Sequence, residues 1–519
     1  MNRLTEPLPS IRGRERKGRV STEGGPTPPD SRILSMRLDQ LARDLASSDL
    51  VGDPGTDIAS LAFDNRKVTP GALFFCVRGL ASDGHDFAAA AVEAGAVALV
   101  CERRLDLDVP QLLVPDARAA MAPIAATFNG DPTTEMKLAG ITGTNGKTTT
   151  AFLLRDILEF GGLPSGLMGT VKQVVGGVEE DVVRTTPEAI DLQASFRRML
   201  DAGDEACVME VSSHAMVMHR ADAIDFDLAI FTNLTQDHLD FHDDMEDYFQ
   251  AKRLLFAAGP GASIVNVDDE YGQRLATEFD CLTYSASGQA ADYSALDVSF
   301  DASGASFAVQ TEHGEFAVRT GLPGSFNVAN ALAALAGAIA LGVDPDEAVA
   351  GLADAGRVPG RFEPIDEGQD FAVLVDYAHT PDSVENVLRA ARDLTPGRLI
   401  AIVGAGGDRD KAKRPLMGAA GARLSDLAVI TSDNPRSEDP AAIIEDVLAG
   451  IEDRESVLVE QDRDAAIGLA IREAGPGDTV VIAGKGHEQG QEFENGRKIP
   501  FDDRDVARRH LRELAGKSA

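Results

Sequence analysis

The chain has 519 residues, with 84 acidic against 49 basic side chains and a formal net charge of −35. A field of that sign repels phosphate backbones and anionic lipid, which excludes indiscriminate binding to nucleic acid or a membrane surface and obliges any anionic ligand to find a locally basic pocket. At about 100–200 residues per domain, the length predicts roughly three domains, each able to bury its own core.

In chain order, residues 1–32 contain Pro26-Thr27-Pro28-Pro29 and no apolar period, so they read as a flexible tail. No apolar run follows the tail's arginines, so it is not a secretory signal. Residues 33–137 mix strands expected at 72–77 and 97–101 with an Ala-rich helix at 87–94, a small α/β domain. A strand at 137–142 opens a middle domain, 138–359, whose alternation of strands and helices implies a largely parallel sheet. The longest apolar run, 331–343, falls short of a membrane span and reads as a buried helix. A third domain, 360–519, has strands at 371–375, 399–403, 427–431 and 479–483 with helices at 383–393 and 441–451, an order that predicts a doubly wound α/β unit of Rossmann type. Four cysteines (Cys76, Cys101, Cys207, Cys281) form no C-x-x-C pair, which argues against a zinc ribbon or disulfide framework and points to a reducing cytoplasm.

The most specific local signal is Gly143-Thr144-Asn145-Gly146-Lys147-Thr148-Thr149, placed between an apolar strand and a helix over 151–160. Glycines turn backbone N–H groups inward, the helix N-terminus favours anions, Lys147 adds a cation, and Thr148 offers a hydroxyl to magnesium. Position 141, where the usual spacing has glycine, is Ile141, so the loop is a shortened variant that still suits a nucleoside triphosphate.

That loop resembles the phosphate loop of the Mur ligase family, the ATP-dependent amide-forming enzymes of cell-wall synthesis, whose folate-polyglutamate relatives share it. Further motifs follow in order across nearly the whole chain: Thr185-Thr186-Pro187, Met209-Glu-Val-Ser-Ser-His214, Asn233-Leu-Thr-Gln-Asp-His-Leu-Asp240, Tyr248-Phe-Gln-Ala-Lys252, Asn327-x-x-Asn330, Asp376-Tyr-Ala-His-Thr-Pro381, Gly406-Gly-Asp-Arg-Asp410, Asp433-Asn-Pro-Arg436 and Gly484-Lys-Gly-His-Glu488.

Glu210 ends an expected strand and His238 follows another, and strand ends face the ligand crevice of parallel sheets. Each has a plain alternative, a solvated carboxylate or a hydrogen-bonding imidazole. The resemblance implies that Glu210, His238 and Lys252 hold metal beside Thr148, with Lys252 carbamylated by carbon dioxide. Composition alone reads Lys252 as a surface lysine. The resemblance also implies that Asn327, Asn330, Asp376, His379 and Arg361 contact ATP. Thr185, Thr186, Ser212, Met218 and Arg220, with Phe63, Asn65, Leu80, Ala81 and Ser82 of the first domain, would hold a UDP-muramoyl dipeptide. Asn65 and Met218 stand where members of the family have Ser and Gln. Thr-Thr-Pro alone would pass for a simple loop.

Arg409, Asp433, Asn434, Pro435, Arg436, Gly484 and Glu488 match the family's contacts to meso-diaminopimelate. Arg436 suits a second carboxylate that lysine lacks, and Glu488 an ammonium. The implied activity is magnesium- and ATP-dependent addition of meso-diaminopimelate to UDP-N-acetylmuramoyl-L-alanyl-D-glutamate through an acyl phosphate. Small molecules are the expected partners, with no nucleic acid, no membrane insertion and a monomeric chain. The alternatives are a lysine-adding ligase, or a P-loop ATPase that drives a conformational change in a partner. Lys147, Arg220, Arg361, Arg409, Lys411, Lys413, Arg414, Arg436 and Lys485 lie in or beside these segments, so basic pockets focused within an acidic exterior are expected.

Overall fold

The computed structural model describes residues 35–517 apart from 44, 46, 80, 81, 183, 302 and 313. The tail 1–32 and the candidate residues Leu80 and Ala81 lie outside the described residues.

Three main sheets carry the chain, and the class is α/β throughout. The first has five strands, of which Ser60–Ala62, Ala72–Phe75, Ala96–Cys101 and Gln111–Leu113 run parallel. The second has eleven. Its parallel centre is ordered Ser165–Met168, Ala206–Glu210, Lys137–Thr142, Leu228–Phe231, Ala262–Asn266, Leu282–Ser285, Tyr293–Asp301. The third has six, all parallel except the edge Glu363–Pro364.

Strand periodicity explains why the second sheet is covered on both faces. Leu228 and Ile230 point into one core with Leu153, Leu154 and Ile157 of the helix Lys147–Phe160 and with Leu332 and Leu335 of Ser325–Ala340. Ala229 and Phe231, one residue out of phase, point into a second core with Phe196, Tyr248 and Phe249 from Ala189–Ala202 and Met245–Ala257. The third sheet does the same: Ala401 and Val403 face the helices Pro381–Asp393, Lys413–Leu424 and Pro440–Leu448. Ile400 and Ile402 face Arg463–Glu473 and Asp503–Lys517.

Residues 331–340 of the apolar run lie in the helix Ser325–Ala340, whose residues from Ala331 to Ala338 are all buried. Gly342 then takes φ 97°, the left-handed conformation that ends helices. Two helices of the third unit begin earlier than their apolar pattern suggests, at Pro381 and Pro440. Proline is preorganised for the first helical position, and Thr380 and Asp439 cap the two N-termini. The middle sheet is also less uniformly parallel than expected. Antiparallel strands Gln173–Val175 and Val178–Glu180 extend one edge, and Gly304–Thr311 and Gly314–Thr320 the other. Hairpins need no crossover helix, so the helix-strand alternation that signals parallel pairing is missing there.

This topology sets the place of the chemistry. Lys137–Thr142 lies between Ala206–Glu210 and Leu228–Phe231, so the connections leave it in opposite directions and a crevice opens beyond the strand ends. In the third sheet, strands ending at Asp376, Ala405, Ser432 and Ala483 deliver the loops with the expected amino-acid contacts.

Candidate active site

The loop after Lys137–Thr142 depends on two glycines. Gly143 has φ 148°, and a Cβ there would stand 1.9 Å from Thr232 Oγ1; Gly146 caps the next helix at φ 86°, where a Cβ would stand 2.3 Å from Asn330 Oδ1. Only glycine fits either position. The Asn145 N–H donates to Asn233 Oδ1 at 2.9 Å, and Lys147 folds back so that Nζ donates to the Gly143 and Thr144 carbonyls, both at 2.8 Å. Burial lowers the proton affinity of Lys147, while Glu210 and Asp237 oppose that effect.

Around this loop lies a cavity of about 780 Å³, walled by the second and third sheets' units. Thr144 to Thr149, Thr185, Thr186, Glu210, Ser212, Arg220, His238, Lys252 and Asn330 line it from one side, and Arg361, Asp376, His379 and Arg409 from the other. Gly143, Asn327, Met218, Phe63, Asn65, Ser82, Asp433, Asn434, Pro435, Arg436, Gly484 and Glu488 do not line it.

Glu210 is nearly fully buried and well supplied with donors. The Thr148 hydroxyl donates to Oε1 at 3.0 Å, the Thr170 N–H to Oε1 at 2.8 Å and the Thr170 hydroxyl to Oε2 at 3.0 Å. Arg361 Nη2 reaches Thr148 Oγ1 at 2.9 Å and its guanidinium lies 4.5 Å from the centre of the Tyr377 ring. A hydroxyl and a carboxylate beside a phosphate loop are hard oxygen donors that fit magnesium. Among the described residues no group of three or more His, Cys, Asp or Glu stands ready to hold a metal, so phosphate oxygens and water would have to complete its shell.

Lys252 is 1% exposed, not the surface lysine that composition suggested. Its Nζ donates to the Gly143 carbonyl at 2.8 Å and lies 4.5 Å from the centre of the Tyr248 ring. Burial, with Lys147 nearby, pushes its pKa well below the ordinary lysine value, which favours the neutral amine. His238 adopts φ 57°, its ring stands edge-on to His214 at 4.9 Å, and burial lowers its pKa to about 3. His238 is therefore neutral at pH 7. Its neighbour Asp237 stays ionised although burial opposes the charge, because Lys413 Nζ sits 3.1 Å away.

The Thr185-Thr186 segment, expected to hold the acceptor, is organised by backbone and hydroxyl contacts. Thr186 Oγ1 donates to the Glu210 carbonyl at 2.9 Å, and the Ser212 N–H donates back to Thr186 Oγ1 at 3.2 Å. Thr185 and Thr170 hydroxyls meet at 3.0 Å. Arg220 contacts Met218 Sδ at 3.4 Å and pairs with Glu188 at 3.0 Å, a carboxylate shared with Arg118 and Arg184. Phe63 packs on the first unit's core, and Asn65 opens a short 3-10 turn capped by Asp64.

Among the residues expected to contact ATP, Asn330 Nδ2 donates to Asn327 Oδ1 at 3.2 Å. Asp376 accepts the Phe362 N–H at 2.7 Å, and His379 Nδ1 donates to the Tyr377 carbonyl at 2.7 Å. Burial pushes the Asp376 carboxyl up to about 6, against the pull of Arg361 and of the Phe362 and Ala378 N–H groups.

The remaining residues form a second cluster. Lys485 Nζ bridges Asn434 Oδ1 at 2.8 Å and Glu488 Oε2 at 2.7 Å, and Asn434 Nδ2 closes the triangle to Glu488 at 2.8 Å. Arg436, at φ 51°, donates from Nε to Glu492 at 3.1 Å and from Nη1 to the Gly407 carbonyl at 2.7 Å. Gly484 approaches so closely that a Cβ would stand 2.4 Å from Asp433 Oδ2. Arg409 Nη1 donates to the Asp408 carbonyl at 2.8 Å.

Of the motif cations, Lys147, Arg220, Arg361 and Arg409 line the cavity, and others are taken up by structural carboxylates. Arg414 is 1% exposed and pairs with Glu438 and Asp446, Lys411 pairs with Glu438, and Lys413 with Asp237. Basic residues in an acidic chain are drawn to structural carboxylates as readily as to ligands. Thr170, Glu188 and Glu492, which hold Glu210, Arg220 and Arg436, belong to no motif, and no pattern in the sequence marks them.

Three family models match the chain: "Mur ligase family, catalytic domain" over 57–129, "Mur ligase middle domain" over 141–338 and "Mur ligase, glutamate ligase domain" over 360–486. Among curated relatives, the UDP-N-acetylmuramoyl-L-alanyl-D-glutamate–2,6-diaminopimelate ligase of Geobacillus thermodenitrificans is 47% identical over 473 residues, 89% of this chain and 96% of the relative. The protein of the same name from Streptomyces coelicolor is 47% identical over 511 residues, 95% and 99% of the two chains. A solved structure of a ligase of that name superposes with a TM-score of 0.65 at 30% identity, covering 93% of this chain and 99% of the other.

Proposed function

The chain belongs to the Mur ligase family, and from that premise we propose that it is the ATP-dependent, ADP-forming ligase that adds meso-diaminopimelate to the D-glutamyl carboxylate of UDP-N-acetylmuramoyl-L-alanyl-D-glutamate in peptidoglycan precursor synthesis. The observation that carries the reading is one cavity whose wall joins the phosphate loop, Glu210 and the Thr185-Thr186, Ser212 and Arg220 set to Arg361, Asp376, His379 and Arg409 of the C-terminal unit.

In the first step, an acceptor carboxylate oxygen attacks the γ-phosphorus of ATP and ADP leaves. In the second, the amine of the amino acid attacks the acyl carbon, loses a proton and expels phosphate from a tetrahedral intermediate. Both steps need positioning and charge neutralisation more than covalent help. Lys147 orients the terminal phosphates, Arg361 steadies Thr148, and Arg220 with the three hydroxyls holds the acceptor. Asn327, Asn330, Asp376 and His379 seat the base and ribose. Thr148 and Glu210 would hold magnesium, Glu210 and His238 the family's second metal with carbamylated Lys252 helping to organise it, and the bound metal would supply charge neutralisation. Arg436 takes the distal carboxylate of meso-diaminopimelate and Glu488 its ammonium, with Arg409, Asp433, Asn434, Pro435 and Gly484 around them. Phe63, Asn65 and Ser82 contact the uridine end. Units bounded at 33–137, 138–359 and 360–519 divide these tasks in a monomeric cytoplasmic enzyme. No helix among the described residues is long and apolar enough to cross a membrane.

The test is phosphate release with ATP, the UDP-dipeptide and a panel of amino acids. Turnover with meso-diaminopimelate and not lysine is expected; the reverse selectivity would make this the lysine-adding enzyme.

A further inference from the structure

Lys413 takes no part in the steps above, yet it is a buried cation. It begins the helix Lys413–Leu424 of the C-terminal unit, and its Nζ stands 3.1 Å from Oδ1 of Asp237, in the loop after Leu228–Phe231 of the middle unit. The two side chains are 6% and 7% exposed. The other oxygen of Asp237 lies 3.5 Å from His238 Nε2 and 3.8 Å from His379 Nε2. Nearby crossings between the same two units are Gln236 to Asp410 at 3.1 Å, Asn145 to Asp382 at 2.9 Å and Arg361 to Thr148 at 2.9 Å. Lys413 and Asp237 differ from these in joining two opposite full charges that are both withdrawn from water.

A buried ion pair does little net work while intact, because the loss of hydration offsets the attraction. Remove or misplace one partner and a buried charge is left uncompensated, at a large cost. Such a pair is therefore weak as glue and strong as a selector of register. Any seating of the C-terminal unit that buries Asp237 without Lys413 is penalised, and the seating that pairs them is the one with Arg361, His379 and Arg409 on the cavity wall.

We propose that Lys413 is a positioning residue which, through Asp237, sets the register in which the C-terminal unit seats on the phosphate-loop unit. The proposal rests on the ligase reading in one respect, that the seated arrangement is the reacting one. Apart from the units, with water in the interface, both groups are hydrated and cost nothing, so the pair leaves the units free to part.

The experiment compares wild type, Lys413→Met, Asp237→Asn and the double variant by small-angle scattering with and without ATP, by thermal unfolding, and by kcat and KM in the amino-acid assay. Lys413→Met is expected to be expanded, because seating would bury a lone carboxylate, with kcat lowered about 10–100-fold as the seated population falls. Its unfolding midpoint should stay near wild type. The double variant, whose Asn and Met leave no charge to compensate, should return to wild-type compactness. Should Lys413→Met fail to fold, Asp237→Asn poses the same question, with Lys413 left unpaired and the same expansion expected. A Lys413→Met protein as compact as wild type, or a double variant as expanded as the single, overturns the proposal. If wild type forms no product with any amino acid, the ligase reading fails, while the scattering comparison still decides the role of the pair.

Discussion

Thr148 and Glu210 are 62 residues apart in the chain, yet the threonine hydroxyl donates to the carboxylate at 3.0 Å. They meet because the strands Lys137–Thr142 and Ala206–Glu210 are parallel neighbours in register, Ile141 opposite Glu210, so the phosphate loop leaves the sheet beside the carboxylate. Thr170 supplies two more donors to Glu210, which fixes its position before any ligand arrives. Glu210→Gln keeps the shape and an oxygen acceptor but removes the charge. A fall in kcat of about 100-fold or more is expected, with a raised magnesium requirement and an unchanged unfolding midpoint. A magnesium titration of steady-state activity checks this.

Lys252 has the environment that favours reaction with carbon dioxide. Its amine is buried and biased towards neutrality, and a neutral amine is the species that adds carbon dioxide. The resulting anion would face Lys147 in place of a second cation. Intact-mass spectra of gently handled protein are expected to show an increment of one carbon dioxide, lost on acidification. Activity should fall when dissolved carbon dioxide is stripped and return with bicarbonate. Full activity in Lys252→Met would refute the assignment.

Arg436 is held by Glu492 and the Gly407 carbonyl, and its remaining donors are free to meet a carboxylate in a fixed plane. Lysine cannot reproduce that fork. Arg436→Lys is expected to raise the KM for meso-diaminopimelate about 10–100-fold, equivalent to about 1.4–2.7 kcal/mol, while the KM for ATP stays within about twofold. Initial-rate kinetics with each substrate varied in turn provide the comparison.

Asp376 gives a signed pH dependence. Its carboxyl binds a proton more tightly folded, at about 6, than at the ordinary 3.8, so the native state is the more protonated one between those values. The associated stability is present below the lower value and is lost as pH rises to the upper one, a change of about 3 kcal/mol. Asp376→Asn can still accept the Phe362 N–H and carries no such loss. Urea midpoints at about pH 4 and about pH 7 should show the variant gaining on wild type as pH rises. A constant difference across that range would contradict the assignment.

Arg463 and Asp503 form a pair with both side chains fully buried, at 2.7 and 2.8 Å, and Arg463 also donates to the Ala483 carbonyl at 2.9 Å, next to Gly484. Asp503→Ala is expected to cost about 3–5 kcal/mol by stranding the guanidinium. Arg463→Met combined with Asp503→Leu should cost less than either single change, a non-additivity that equilibrium unfolding of the four proteins would reveal.

Much of the site was legible because its chemistry is local in the chain. The loop from Gly143 to Thr149 needs particular residues at particular spacing, and its positive-φ glycines leave a mark that no other structure explains. Strand cores were legible for the same reason: the parallel strand Thr479–Ala483 is apolar at every position but its first, and its ends fell where the sequence placed them. The hairpin edges of the middle sheet were not, because edge strands such as Val178–Glu180 and Gly314–Thr320 are exposed along most of their length and carry polar residues. Thr170, Glu188 and Glu492 were invisible because the contacts by which they hold Glu210, Arg220 and Arg436 reach residues more than 30 positions away in sequence.

By itself the sequence determined the family and the phosphate loop, and it supplied the expectation that Arg436 and Glu488 meet the amino acid, since these depend on residue type and short spacing. Only the tertiary structure decided which charges are available. Among the basic residues beside the motifs, Lys147, Arg220, Arg361 and Arg409 line the cavity, whereas Lys413 and Arg414 are buried against Asp237, Glu438 and Asp446. The reason is desolvation: a buried charge must take the nearest opposite partner, and which partner is nearest is set by the packing of units distant in the chain.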